Sequence, residues 1–334
     1  MTNVTLSASV GSTTTDAIIR GVIGIFETAF AGRIRSCYVE GSYADGSAVA
    51  MSDIDLTVVF KDRFVGDAER EAATRLAGYC AAVSGVELDI ELADDVQLAA
   101  GVYPSLKDGS LCPYGVDRRA EFRLLPLEEW TRQRMHAAYW LLVTVFDRPR
   151  VVVPPLRYPD PADTFFGYTR RTVRLPTGAE APSTRDLIRV TGWIATALLA
   201  QRAGVYVARK SDCARAYRRS IGDEWASLLD AIYRRCRGEW GYLVPTAEAD
   251  RRELRALCMR ALHFENHFLT IYKDYLLAQL RSADDIAPHR ALWVLEHVTY
   301  CDESVRLAVH TIGDRDDQEM RQAAERVQAI LDRC

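Results

Sequence analysis

Residues 38–60 read YVEGSYADGSAVAMSDIDLTVVF. Two β-forming runs flank a small-residue turn. Ile34 to Glu40 leads into Gly41-Ser42, and Asp53-Ile54-Asp55 follows after ten intervening residues and runs on into Thr57-Val58-Val59-Phe60. Side chains at i and i+2 of a strand share a face, so Asp53 and Asp55 stand side by side while the opposite face is apolar. Two carboxylates so placed suit divalent cations gripping a triphosphate. A Gly-Ser turn just upstream can bring backbone N–H groups against phosphate oxygens, because glycine accepts unusual dihedrals and close approach.

Working outward, residues 16–31 (DAIIRGVIGIFETAFA) carry helical periodicity behind Thr and Asp cap candidates. Residues 66–84 form an amphipathic helix ended by Gly85. The segment Val86-Glu87-Leu88-Asp89-Ile90-Glu91-Leu92 alternates strictly, acidic at odd numbers and apolar at even ones. As a strand it sets Glu87, Asp89 and Glu91 on one face, successively about 6.5–7 Å apart. Three acids in a row repel one another even when exposed, and a cation relieves that repulsion.

Gly-Ser, a gap of about ten residues and Asp-hydrophobic-Asp-hydrophobic resemble the signature of the DNA polymerase β-like nucleotidyltransferase superfamily. The length of the gap is most similar to that of the aminoglycoside (adenylyl) nucleotidyltransferases. The resemblance implies an α/β N-terminal nucleotidyltransferase core, a mixed sheet with helices, followed by an all-α C-terminal helical domain. It departs at Glu40, which stands where the family usually carries an apolar residue; the expectation is that this departure touches none of the chemistry. It implies that Asp53 and Asp55 hold Mg²⁺ together with a third acid from the neighbouring strand. The hydrophobic-Asp-hydrophobic pattern of many members favours Asp89 as that ligand. The adenylyltransferases, whose strand opens hydrophobic-Glu-hydrophobic and ends in Asp-Asp, as Asp94-Asp95 do here, favour Glu87. Asp89 is the expected ligand, and Glu87 or Glu91 the expected base.

The same resemblance gives Gly41 and Ser42 the β- and γ-phosphates of ATP or another NTP. The segment GVYVARKSDCARAYRRSIGDEWASLLDAIYRRC (204–236) is similar to part of the helical domain of the adenylyltransferases. Lys210 stands there at the position of a lysine that contacts nucleotide phosphates in that family. It is one of four lysines, with Lys61, Lys107 and Lys273, and it sits at a loop-to-helix junction, where anions are already favoured. The implied reaction moves AMP from ATP to a hydroxyl of a small acceptor such as an aminoglycoside or another natural product. Signalling or toxin-type nucleotidyl transfer would carry the same motif. A degenerate nucleotide-binding module is the non-enzymatic alternative, and the intact Gly41-Ser42 and Asp53/Asp55 speak against it.

The whole chain of 334 residues is long enough for two domains. The expected division is a nucleotidyltransferase domain over 1–147, an irregular linker over 148–183 opening on the Pro-rich RPRVVVPPLRYPDPAD, and a helical domain over 184–334 that clamps nucleotide or substrate. Between residues 101 and 127 one strand is expected, at Ala120 to Leu125, before a helix at 128–146. Further helices are predicted at 184–203, 211–220, 222–237, 247–281, 288–311 and 315–333. A net charge of −4, spread without blocks, argues against a binder of long nucleic acid and fits a cationic or neutral small acceptor. An acidic cleft around the Asp pair would suit a polycation. No apolar run approaches the ~20 residues of a membrane span. MTNVTLSASVGSTTTD lacks a basic start and an apolar stretch, so no secretory signal is expected. Eight cysteines without a C-x-x-C pair predict reduced thiols in a cytoplasmic protein. His263 and His267 have helical i,i+4 spacing but no accompanying H-E-x-x-H pattern, so packing is expected for them rather than zinc.

Overall fold

Period-2 alternation around the Asp pair builds a four-stranded mixed sheet, seen in a computed structural model of the chain. The structure describes residues 4–149, 151–175, 177–284, 286–313 and 317–333. In chain order the N-terminal elements are α1 (Thr13–Ala29), β1 (Ile34–Glu40), α2 (Gly41–Asp45), β2 (Ile54–Phe60), α3 (Gly66–Val83), β3 (Leu88–Asp94), α4 (Asp95–Ala100), α5 (Pro104–Asp108) and β4 (Leu111–Gly115). The sheet order is β3-β2-β1-β4, with β1 antiparallel to both β2 and β4, and β2 parallel to β3.

The two faces of this sheet have different tasks. Ile54, Leu56, Val58 and Phe60 of β2, with Cys37 and Val39 of β1, bury against Ile19, Val22, Ile23 and Phe26 of α1 and Ala73, Ala77 and Cys80 of α3. The opposite face is apolar only at one end, where Tyr38, Val59 and Ala93 pack under Leu98 of α4 and Leu106 of α5. Its other end carries the carboxylates. Alternation thus lets one strand anchor the core and present charge at once.

The rest of the chain comprises α6 (Leu127–Thr144), the hairpin β5 (Thr172–Arg174) and β6 (Glu180–Pro182), α7 (Arg185–Ala203), α8 (Lys210–Ser220), α9 (Ala226–Ile232) with a π-helical turn at Tyr233–Glu239, α10 (Glu248–Leu280), α11 (Ile286–Leu295), α12 (Glu303–Gly313) and α13 (Gln318–Leu331). One continuous apolar core runs from Met135 in α6 to Leu331 in α13. The expected α/β core followed by helices is therefore what forms. The helix expected at 128–146 joins the helical core, through Met135, Tyr139 and Leu142, rather than the sheet.

Three local expectations are corrected. The strand beyond residue 101 is Leu111–Gly115, not Ala120 to Leu125, which contributes only a bridge between Leu124 and Val102. Pro113 disguised it, yet proline is tolerated on an edge strand, which β4 is. The single helix expected at 288–311 is two helices, α11 and α12. Val152 of the Pro-rich linker exchanges backbone bonds with His297 and Thr299 (both 2.8 Å), and those bonds replace helical ones between the two. The expectation of reduced thiols holds for Cys37, Cys80, Cys112, Cys213, Cys236 and Cys258, but Cys301 is disulfide-bonded. Scattered spacing carries no record of which distant thiols a fold brings together. Met1 to Asn3, Arg150, the start of the last predicted helix at 315–316, and Cys334 lie outside the described residues. Among the described residues no helix is long and apolar enough to cross a membrane.

A buried ion pair locks the linker to the helices. The Arg148 guanidinium lies 2.7 Å from Glu265 Oε2, which also accepts from the Tyr168 hydroxyl at 3.0 Å, and Glu265 has no exposed surface. Removing one partner strands the other charge in an apolar core. Arg148→Met is expected to cost about 3–5 kcal/mol in urea unfolding, and adding Glu265→Leu to restore most of it. Equal stability of the single variant and the parent would contradict this account.

Candidate functional site

The strand registers decide which acids meet. Antiparallel pairing sets Glu40 opposite Asp55, and parallel pairing sets Asp89 on the other side of Asp55. Three carboxylates thus form a row across β1, β2 and β3, with Asp53 one pleat away. One oxygen each from Asp53, Asp55 and Asp89 lies within 4.8 Å of the others, close enough for a shared cation. His263 and His267 enter no such group among the described residues. His267 instead stacks near Trp225 and Phe264.

Electrostatics separate the two aspartates of β2. Burial pushes the Asp55 carboxyl up to about 6; Lys210 opposes this, while Asp53, Asp89 and Glu40 add to it. Burial also acts upward on Asp53, but Arg185 and Lys210 outweigh it and hold Asp53 below its usual range. Arg185, at the start of α7, is almost fully buried and lies 2.7 Å from Asp53 Oδ2. A cation set among these oxygens would offset the burial and repulsion that raise the Asp55 carboxyl. The donor set, all carboxylate oxygen, suits a hard divalent ion such as Mg²⁺.

Glu40 corrects an expectation. Its carboxylate, raised above the usual range chiefly by burial, accepts from the Thr57 hydroxyl at 2.7 Å and bears directly on Asp55. It belongs to the charge balance of the site. The signal was present in the sequence, since the last residue of β1 must pair near the middle of the Asp-Ile-Asp run. Glu87, just before β3, is tied to Arg171 and Arg185. Glu91 sits opposite Thr57 with its side chain exposed at the surface, and partial desolvation raises its pKa. The structure therefore groups Asp89 with the aspartate pair and places Glu87 in an arginine clasp beside it.

Gly41 opens α2 with φ +65°, and a Cβ there would run into Asp55 Oδ2. Only glycine lets this turn lie against the carboxylates. Ser42 follows in the first turn, with its carbonyl accepting from Ser47 N at 3.0 Å. The helical half holds this loop: Ser211 Oγ donates to Asp45 Oδ2 (2.6 Å), and Arg237 Nη2 donates to Ser47 O and Oγ (2.8 and 3.0 Å). Lys210, first residue of α8, is near enough to act on Asp53, Asp55 and Glu40. Arg185, Arg237, Asp45 and Ser211 carry no motif of their own, so sequence reasoning missed them.

A cavity of about 220 Å³ opens beside Asp53 between the two halves. Ile188, Leu229 and Ile232 form an apolar wall, and Trp130, Trp193, Tyr233 and Tyr242 add aromatic surface. The charged lining is one-sided: Arg134, Arg185, Arg189, Arg209, Lys210 and Arg237 against Asp53 alone. The cleft expected to be acidic has an acidic floor and basic walls.

Residues 19–105 match the family model of the nucleotidyltransferase domain. That stretch includes Gly41, Ser42, Asp53, Asp55 and Asp89, so the acidic triad falls inside the matched residues, while Lys210 lies beyond them. No curated protein matches the chain in sequence. Among solved structures, the chain is similar to spectinomycin adenyltransferase AAD(9) from Enterococcus faecialis, crystallised with ATP and spectinomycin. Identity is 13%, the match covers 75% of this chain and 98% of that one, and the TM-score is 0.43.

Two measurements probe this geometry. Gly41→Ala is expected to cost about 1–2 kcal/mol through left-handed backbone and to displace Asp55, so that Mn²⁺ affinity read by electron paramagnetic resonance falls; undiminished affinity would refute the close packing. Asp55 holds its proton more tightly in the folded state (about 6) than its ordinary value of 3.8. The stability this contributes is present below the lower value and lost as pH rises through the higher one. Melting of the metal-free protein should therefore shift downward between about pH 4 and 6 relative to Asp55→Asn. Parallel curves for the two proteins would count against it.

Proposed function

We propose that this protein is a Mg²⁺-dependent nucleotidyltransferase. It moves a nucleoside monophosphate, AMP from ATP, onto a hydroxyl of a small molecule, and releases pyrophosphate. The observation that carries the reading is the convergence of Asp53, Asp55 and Asp89 within 4.8 Å, beside a glycine turn and a lysine-bearing helix start. Those three carboxylates would hold the divalent cations, whose chemistry would be to neutralise charge that develops on phosphate oxygens during an in-line displacement.

The chain's own groups do the rest. Backbone N–H groups at Gly41 and Ser42, with the Ser42 hydroxyl, take the β- and γ-phosphates, and Lys210 adds a positive charge from the opposite side. The acceptor hydroxyl oxygen bonds to the α-phosphorus as the bond to the bridging α–β oxygen breaks. Its proton passes to a carboxylate in reach, for which Glu87 is our assignment. Arg171 and Arg185 now clasp Glu87. Phosphate oxygens compete for such guanidinium groups, and their transfer would release the carboxylate as nucleotide arrives.

Incubation with labelled NTPs, Mg²⁺ and a panel of hydroxyl-bearing acceptors tests the assignment. Acceptor-dependent pyrophosphate release is expected, lowered at least about a hundredfold by Asp53→Asn. Release that persists without any acceptor would mark oligonucleotide synthesis or self-modification instead. Full activity of Asp53→Asn would overturn the mechanism.

A further inference from the structure

We propose that the acceptor carries an oxyanion, a carboxylate or a phosphate, and that Arg134 on α6 is the residue that binds it. The inference rests on the nucleotidyl-transfer reading for the word acceptor, and on the cavity wall for everything else. Arg134 lines the cavity with its guanidinium carbon 4.5 Å from the Trp130 ring centre, 4.6 Å from that of Trp193 and 5.1 Å from that of Tyr103. Among the described residues no carboxylate lies within ion-pair distance of it, and its Nε is buried without an acceptor. Its polar partner is the Tyr103 hydroxyl, a neutral group that accepts from it and donates to Gln133 Oε1 at 2.6 Å. Burial lowers its pKa, which shows how little counter-charge the site supplies.

Contact with three aromatic rings restricts the guanidinium, and a guanidinium held in place by its neighbours is suited to receive two oxygens of one anion. Two other basic residues of the lining are already engaged. Arg185 pairs with Asp53 and Glu87, and Arg237 binds Ser47. Arg134 also stands apart from the end assigned to the triphosphate. Arg185, beside Asp53, and Trp193, beside Arg134, lie eight residues apart along α7, a span of about 12 Å. That separation leaves room for an acceptor between the α-phosphate and the aromatic cage. A polycationic acceptor, by contrast, would enter against six basic side chains lining the cavity.

Calorimetry on the full chain, saturated with Mg²⁺ and a non-hydrolysable ATP analogue, provides the test. The probes are glycerol 3-phosphate, glycerate, glycerol and kanamycin. One or both anionic probes are expected to bind, and which of them binds identifies the anion; glycerol and kanamycin are not expected to bind. Arg134→Met should weaken the anionic probe roughly tenfold or more while leaving affinity for the analogue unchanged. Arg134→Lys should recover part of the binding, because it keeps the charge and loses the fork. Equal binding of the anionic probe to parent and variant, binding of neither anion, or tight binding of kanamycin would each overturn the proposal. So would loss of analogue affinity in Arg134→Met, since it assigns the arginine to the nucleotide. Failure of the analogue itself to bind speaks against the nucleotidyl-transfer reading, and the anions titrated onto nucleotide-free protein still decide the role of Arg134.

Discussion

Like-charge repulsion is the constraint around which this protein is arranged. Asp53, Asp55 and Asp89 lie within one cation's reach, and Glu40 presses on the same spot from β1. Carboxylates so close cannot all ionise freely. The fold answers in three ways without any added ion: Arg185 leans on Asp53, Lys210 on all of β2's acids, and Asp55 holds its proton into the neutral side of the acid range. Each answer comes from the helical half or from burial, so the sheet alone would present an unbalanced surface. The two halves are tied by electrostatics as much as by packing.

That arrangement also explains the division of faces in the sheet. Even-numbered positions of β2 are buried under α1 and α3, which makes the register rigid. Odd-numbered positions inherit that rigidity and hold their charges in place. A site that must keep acids a few ångströms apart benefits from being written into a strand, whose pleat is held by hydrogen bonds on both edges.

Much of this could be read from the residues themselves. Alternation from Asp53 to Leu56, running on into β-forming residues, and strict alternation from Val86 to Leu92 identified both strands and the acids they display, because a period of two admits one assignment of faces. The grouping of Asp89 with the aspartate pair follows from parallel pairing, which a sequence hints at only through the intervening helix. Glu40 was visible but undervalued: its weight depends on the antiparallel register of β1 with β2. Arg134, Arg185 and Arg237 were illegible, since arginines in a chain with many arginines announce nothing until a fold selects their partners. The linker was legible as proline-rich and illegible as a backbone partner for residues 297–299, a contact that no local pattern encodes.

The tether between α2 and the helices has a consequence for how such a chain can change over generations. Asp45 and Ser211 are 166 positions apart, and Ser47 and Arg237 are 190 apart, yet each pair shapes one five-residue turn. A half exchanged with that of a relative would bring its own partner to neither contact. The Gly41–Asp45 turn and the helices that hold it therefore constrain one another's sequence.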